Sequence, residues 1–94
     1  MFGHKKEPEQ LVTDGRFELE RDGHVAYLKY SLGGGILELV HTEIPKELRG
    51  QGLAATLAKS ALDYARENNL RVDIVCDSVL DFVKKNPEYS DLVL

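Results

Sequence analysis

Between residues 16 and 44 apolar side chains recur at every second position. In RFELER (16–21) Phe17 and Leu19 alternate with Arg16, Glu18 and Glu20, the pattern of a strand with one buried face. Asp22-Gly23 follows, a two-residue hairpin signal, because both central turn residues need positive φ. HVAYLKYSL (24–32) resumes with β-branched and aromatic residues, and Gly33-Gly34-Gly35 breaks it. ILELVHTEI (36–44) predicts a third strand. Strict alternation puts Leu37, Leu39 and His41 on one face and Ile36, Val40, Thr42 and Ile44 on the other, with Glu38 among them. Three strands joined by short turns predict an antiparallel meander.

Beyond Pro45 the period changes. Leu53, Ala54, Leu57, Ala58, Ala61, Leu62 and Ala65 form one apolar stripe on a helix over 51–67, with Lys59, Asp63 and Arg66 toward solvent. Asn69 suits a left-handed cap, with Leu70 packing back behind it. RVDIVC (71–76) predicts a short strand. SVLDFVKKN (78–86) predicts a second helix, N-capped by Asp77 or Ser78, with Val79, Phe82 and Val83 inward. Pro87 stops it, and the tail EYSDLVL carries enough apolar residues to pack. Strand 36–44, helix 51–67 and strand 71–76 make a βαβ unit, whose right-handed crossover makes the two strands parallel. The expected fold is α/β with a mixed sheet: a meander, then the βαβ unit and a C-terminal helix.

Composition narrows the function more than the fold. With 94 residues one domain is expected, over 15–94, behind a mostly flexible segment over 1–14. A net charge of −4 argues against general nucleic-acid binding. The single cysteine rules out an internal disulfide and favours a cytoplasmic setting. The start, MFGHKKEPEQ, has no apolar core of signal-peptide length, and no window approaches a membrane span. Three scattered histidines and one cysteine give no metal-ligand spacing.

The two glycines at 50 and 52 sit where a strand gives way to a helix. Helix N-termini expose N–H groups without intrahelical partners and carry partial positive charge. Gly50 and Gly52 remove side chains that would hold a phosphate off the backbone, and Arg49 and Lys46 add formal charge. The plainer alternative is that Gly50 eases a turn and Gly52 allows close helix–sheet packing. Ala55 stands where a dinucleotide-binding fingerprint needs a third glycine, and no Gly-Lys-Ser/Thr follows as in a Walker A loop.

Arg49-Gly50-Gln51-Gly52-Leu53-Ala54 resembles the Arg/Gln-x-x-Gly-x-Gly/Ala motif of the GNAT superfamily of N-acetyltransferases. A longer run is similar to one small single-domain subfamily: His41-Thr42-Glu43-Ile44-Pro45-Lys46-Glu47-Leu48 before the motif, then Cys76, Val79 and Pro87-Glu88-Tyr89 after it. The likeness covers residues 15 to 93. It implies an acetyltransferase that takes acetyl-coenzyme A as co-substrate, needs no metal, and acetylates an amine on a protein or small molecule. It implies cofactor contacts at Thr42, Glu43, Ile44, Arg49, Gly50, Gln51, Gly52, Leu53, Ala54 and Asn86. It also implies an open acceptor side, since the chain is shorter than full-length members of the superfamily.

The candidate chemistry lies beyond the carboxyl ends of the parallel strands. His41 is near the end of one and Cys76 ends the other, so neighbouring strands would bring both to one crevice. In direct transfer the acceptor amine attacks the thioester and His41 takes the amine's proton, and the resemblance implies a backbone N–H near Thr42 to Ile44 that polarises the carbonyl. In the covalent route Cys76 accepts the acetyl group first, its thiol activated by a histidine or a helix N-terminus, with Asp77 opposing. The structural alternatives are a core histidine at 41 and a small buried hydrophobe at 76. Lys84-Lys85 reads as a solvated helix end or a phosphate contact. Tyr89 reads as tail packing, and the resemblance implies a general acid there as the alternative. An acetyl-coenzyme A-binding module without turnover and a plain interaction domain are the competing functions.

Overall fold

The turn at Asp22-Gly23 takes φ values of 53° and 78°, both left-handed, and closes a hairpin in which Arg21 faces His24. Gly34 and Gly35, at 59° and 77°, close the next one between Gly33 and Ile36. The computed structural model describes residues 13–94. The expected flexible segment over 1–14 therefore lies outside the described residues, apart from Thr13 and Asp14, which open the first strand.

The strands are β1 (Thr13–Arg21), β2 (His24–Gly33), β3 (Ile36–Glu43) and β4 (Arg71–Ile74), in the spatial order β1-β2-β3-β4. The first three pair antiparallel, and β4 runs parallel to β3. Helix α1 (Leu53–Glu67) is the crossover between β3 and β4, and α2 (Asp77–Lys85) follows β4. Short 3₁₀ segments occupy Lys46–Leu48 and Pro87–Leu92. The α/β class, the meander and the parallel pair all match the pattern of the sequence.

One strand departs from strict alternation. Tyr30 faces Leu39 across β2 and β3, but Lys29 faces His41, so Val40 is an extra residue in β3. Such a bulge reverses the facing of everything beyond it. Leu37 and Leu39 point into the core, but His41 turns outward with Lys29, and Thr42 turns inward with Leu28. The expected common face of Leu37, Leu39 and His41 is thus corrected: the histidine is on the opposite side.

Helix α1 lies across the inner face of the sheet and buries Leu53, Leu57, Ala58, Ala61, Leu62 and Ala65 against Phe17, Leu28, Tyr30, Leu37, Leu39 and Val72. Its end follows the expected cap. Asn69 is left-handed at φ 56°, Leu70 N–H donates to Ala65 O at 2.8 Å, and Leu70 packs on the core. Helix α2 packs beside α1 through Val79 and Val83. Tyr30 crosses β1 at Gly15, where any Cβ would meet the phenol oxygen at 2.6 Å. The tail covers the outer edge of β4: Leu94 N–H donates to Val72 O at 2.9 Å, and Arg71 Nη2 donates to Val93 O at 2.9 Å.

Candidate functional site

The turn after β3 is built by left-handed glycines. Lys46–Leu48 form one 3₁₀ turn, Arg49 is extended, and Gly50 and Gly52 take φ values of 83° and 74°. A Cβ at either position would meet nothing within 4 Å. Close helix–sheet packing is therefore not what Gly52 serves. The backbone torsion requires glycine, and the space in front of it is open. Gly52 is itself the N-cap of α1, with no side chain capping the helix and no acidic residue in its first turn. The first amide to find an intrahelical acceptor is Thr56, which donates to Gly52 O at 3.2 Å. The N–H groups of Leu53, Ala54 and Ala55 precede it, without a side-chain cap. Arg49 folds back, its Nε donating to Ile44 O at 3.2 Å, and Arg21 reaches Gln51 Oε1 at 3.4 Å.

The strands part just behind this turn. Pairing between β3 and β4 ends at Leu39 and Ile74. The N–H groups of Val75 and Cys76 both converge on Leu39 O, at 2.9 and 3.0 Å, and β4 then gives way to α2. Strand β3 runs on to Glu43 without a neighbour on that side. The resulting wedge, about 410 Å³, lies between Val40–Thr42 and Val75–Ser78. A second groove of about 210 Å³ lies between the first turn of α1, at Ala54 and Ala55, and α2, at Ser78, Phe82 and Lys85. Ser78 lines both.

Cys76 closes the bottom of the wedge and is 7% exposed. It, rather than Asp77 or Ser78, is the N-cap of α2, though its side chain makes no cap hydrogen bond. Its sulfur lies 3.2 Å from Thr42 Oγ1 and 3.1 Å from Ser78 Oγ. Burial pushes the thiol's pKa up. The hydroxyls of Ser78 and Thr42 and the backbone N–H groups of Val79 and Ser78 favour the thiolate and outweigh it, so the pKa lies below the ordinary thiol value. His41 borders the same wedge but from the outer face, with a side chain 58% exposed, so it is not a core histidine. Its Nε2 lies 3.0 Å from Glu43 Oε1. The parallel strands do bring His41 and Cys76 to one crevice, yet the thiol's hydrogen-bond partners are Thr42 and Ser78.

Other candidates stand elsewhere. Asn86 borders neither cavity; its Nδ2 donates to Phe82 O at 2.9 Å and closes the end of α2. Tyr89 is buried, and its hydroxyl donates to Asp63 Oδ1 at 2.8 Å, tying the tail to α1. Lys85 pairs with Asp81 at 3.1 Å on the rim of the smaller groove. Among the described residues no group of His, Cys, Asp and Glu is placed to hold a metal ion. No helix among them is long and apolar enough to cross a membrane.

The sequence profile of the GCN5-related N-acetyl-transferase family matches residues 16–92, which takes in β1 from Arg16, all of β2 to β4, both helices and the wedge. The chain belongs to the GCN5-related N-acetyltransferase family. It is similar to protein NATD1 of Mus musculus, at 43% identity over 92% of this chain and 91% of the mouse protein. Protein NATD1 of Danio rerio is 37% identical over 97% of this chain and 82% of its own length. Protein NATD1 of Bos taurus is 46% identical over 60% of this chain and 50% of its own, so that match spans about half of the relative. Among solved structures, the solution structure of a GCN5-like protein from Staphylococcus aureus superposes with a TM-score of 0.64. It is 25% identical and covers 96% of this chain and 85% of that one.

Within this GCN5-related N-acetyltransferase fold two side chains escaped the sequence reading. Thr42 was expected only as a cofactor contact and Ser78 only as a helix cap, whereas both hold the thiol. Ser78 had a signal: two residues beyond Cys76, in the first helical turn, its hydroxyl can face back toward the sulfur. Thr42 had none, because its facing depends on the bulge at Val40.

Proposed function

We propose that this chain binds acetyl-coenzyme A at the turn from Arg49 to Ala54 and transfers its acetyl group to an amine. One observation supports this reading above the others: Ser78 lines both cavities, so a path runs from the head of α1 to the wedge at Cys76. A diphosphate fits against the uncapped N–H groups of Leu53 and Ala54, across glycines with open space in front. The thioester end then reaches the unpaired stretch of β3, where a backbone N–H between Thr42 and Ile44 polarises its carbonyl. The acceptor nitrogen bonds to the carbonyl carbon, the carbon–sulfur bond breaks, and coenzyme A leaves as the thiolate. His41, at the rim, takes the proton from the amine.

The environment of Cys76 favours a second route to the same product. A thiol with a lowered pKa, set between two hydroxyls, is a competent acyl acceptor. There the Cys76 sulfur bonds to the acetyl carbon as coenzyme A leaves, and the amine then displaces the sulfur.

The test begins with acetyl-coenzyme A titrated into ¹⁵N-labelled protein. Amide shifts concentrated at Gly50 to Ala54 are expected. Gly52→Val should weaken binding on the order of tenfold or more, with its folded state checked by circular dichroism. Shifts confined to another surface would sink the reading. Release of coenzyme A only when an amine is added supports direct transfer. An acetylated protein mass, absent from Cys76→Ala, supports the covalent route. Binding with neither outcome supports an acetyl-coenzyme A-binding module.

A further inference from the structure

The bulge at Val40 leaves His41 and Glu43 two residues apart on the outer face of β3, opposite Lys29 and Tyr27 of β2. Their side chains meet with Nε2 3.0 Å from Oε1, and His41 of the two borders the wedge. An ionised carboxylate can only accept, so the ring nitrogen facing it carries the proton. In a neutral imidazole the other nitrogen, Nδ1, is then the acceptor.

We infer that Glu43 is a positioning residue: it fixes His41 as the Nε2–H tautomer and leaves Nδ1 as the base for the acceptor amine. The inference rests on the direct-transfer reading above. Both side chains are about half exposed, at 58% and 49%, and an ion pair of that kind adds little to stability. What the contact does is set the orientation and tautomer of a ring that borders the reacting space. The same logic holds wherever a base is steadied by a carboxylate behind it. The proton balance closes on the pair. As the amine nitrogen bonds to the acetyl carbon, its proton passes to Nδ1, and the imidazolium charge lies against the Glu43 carboxylate.

The experiment compares Glu43→Ala, Glu43→Gln, His41→Ala and the double variant His41→Ala/Glu43→Ala in amine-dependent release of coenzyme A. Glu43→Ala keeps the backbone N–H through which position 43 would meet the cofactor, so it should lower kcat on the order of tenfold and leave the KM for acetyl-coenzyme A within about twofold. Glu43→Gln keeps an oxygen that accepts from Nε2–H and should retain most of the rate. On the His41→Ala background, Glu43→Ala should cost nothing further, because its effect passes through the ring. Long-range ¹H–¹⁵N spectra should show the Nε2–H tautomer in the wild type and a mixture in Glu43→Ala. Unchanged kcat in Glu43→Ala, an equal loss on the His41→Ala background, or an Nδ1–H tautomer in the wild type overturns the proposal. A wild type without amine-dependent release overturns the direct-transfer reading and this one together. A wild type that turns over alongside an equally active Glu43→Ala overturns this one alone.

Discussion

Cys76 is a small, nearly buried side chain in which two opposing effects can be separated. Burial raises its pKa, and the groups around it lower it further than burial raises it. Alkylation by iodoacetamide should therefore rise with pH through a midpoint below that of a free thiol. Thr42→Val and Ser78→Ala should each move the midpoint back up and slow the reaction at neutral pH by a few-fold, as expected for about 1 kcal/mol per hydrogen bond. The same shift has a sign for folding. A thiol whose folded pKa is depressed contributes stability above its unfolded pKa, and that contribution is lost as pH falls through the folded value. In Cys76→Ala this mild alkaline gain should be absent from denaturation midpoints measured across pH. The sequence marked the cysteine, because it ends a predicted strand. It did not mark Thr42 as the thiol's neighbour, because one extra residue in β3 decides which of two adjacent side chains points inward.

Elements were legible where their determinants are local. The Asp22-Gly23 turn, the apolar stripe of α1 and the Asn69 cap each depend on a few consecutive residues, and each is found where expected. Two features depend on distant partners and were not legible. The bulge in β3 exists only relative to β2. Gly15 lies just before the strand expected over 16–21, and its place in β1 shows only when Tyr30, its cross-strand partner, is seen lying over it. There the glycine makes room for a ring that is 2% exposed and packs, tilted by 46°, with its centroid 4.9 Å from that of Phe17. Gly15→Ala forces that buried ring to move and should destabilise the protein by roughly 1–3 kcal/mol, read as a lower urea midpoint with unchanged m. Equal stability of the variant would mean that Tyr30 has room elsewhere.

At the scale of the molecule, the tail is held to the body by carboxylates on both sides. Asp63 on α1 accepts from Tyr89 and from Lys59. Burial raises its pKa, the hydrogen bonds from Lys59 and Tyr89 lower it, and the net shift is downward. Asp91 in the tail pairs with Arg66, whose hydrogen bond holds the Asp91 pKa down. Both contributions are present above the ordinary carboxylate pKa of about 3.9 and vanish as pH falls through the lower folded values. Acidification below about pH 4 should therefore raise amide exchange over 87–94 before the core strands follow, and Asp63→Asn should weaken that dependence. Exchange that rises uniformly through the chain would refute a separately fastened tail. The strap made by Val93 and Leu94 has a further consequence. With the outer border of β4 bridged at Val72 by the chain's own tail, β1 offers the one full-length strand border left among the described residues, beside the short unpaired end of β3 in the wedge. Two copies meeting there would use up both vacancies, so growth of the sheet by that route stops at a pair and cannot run on into a fibre.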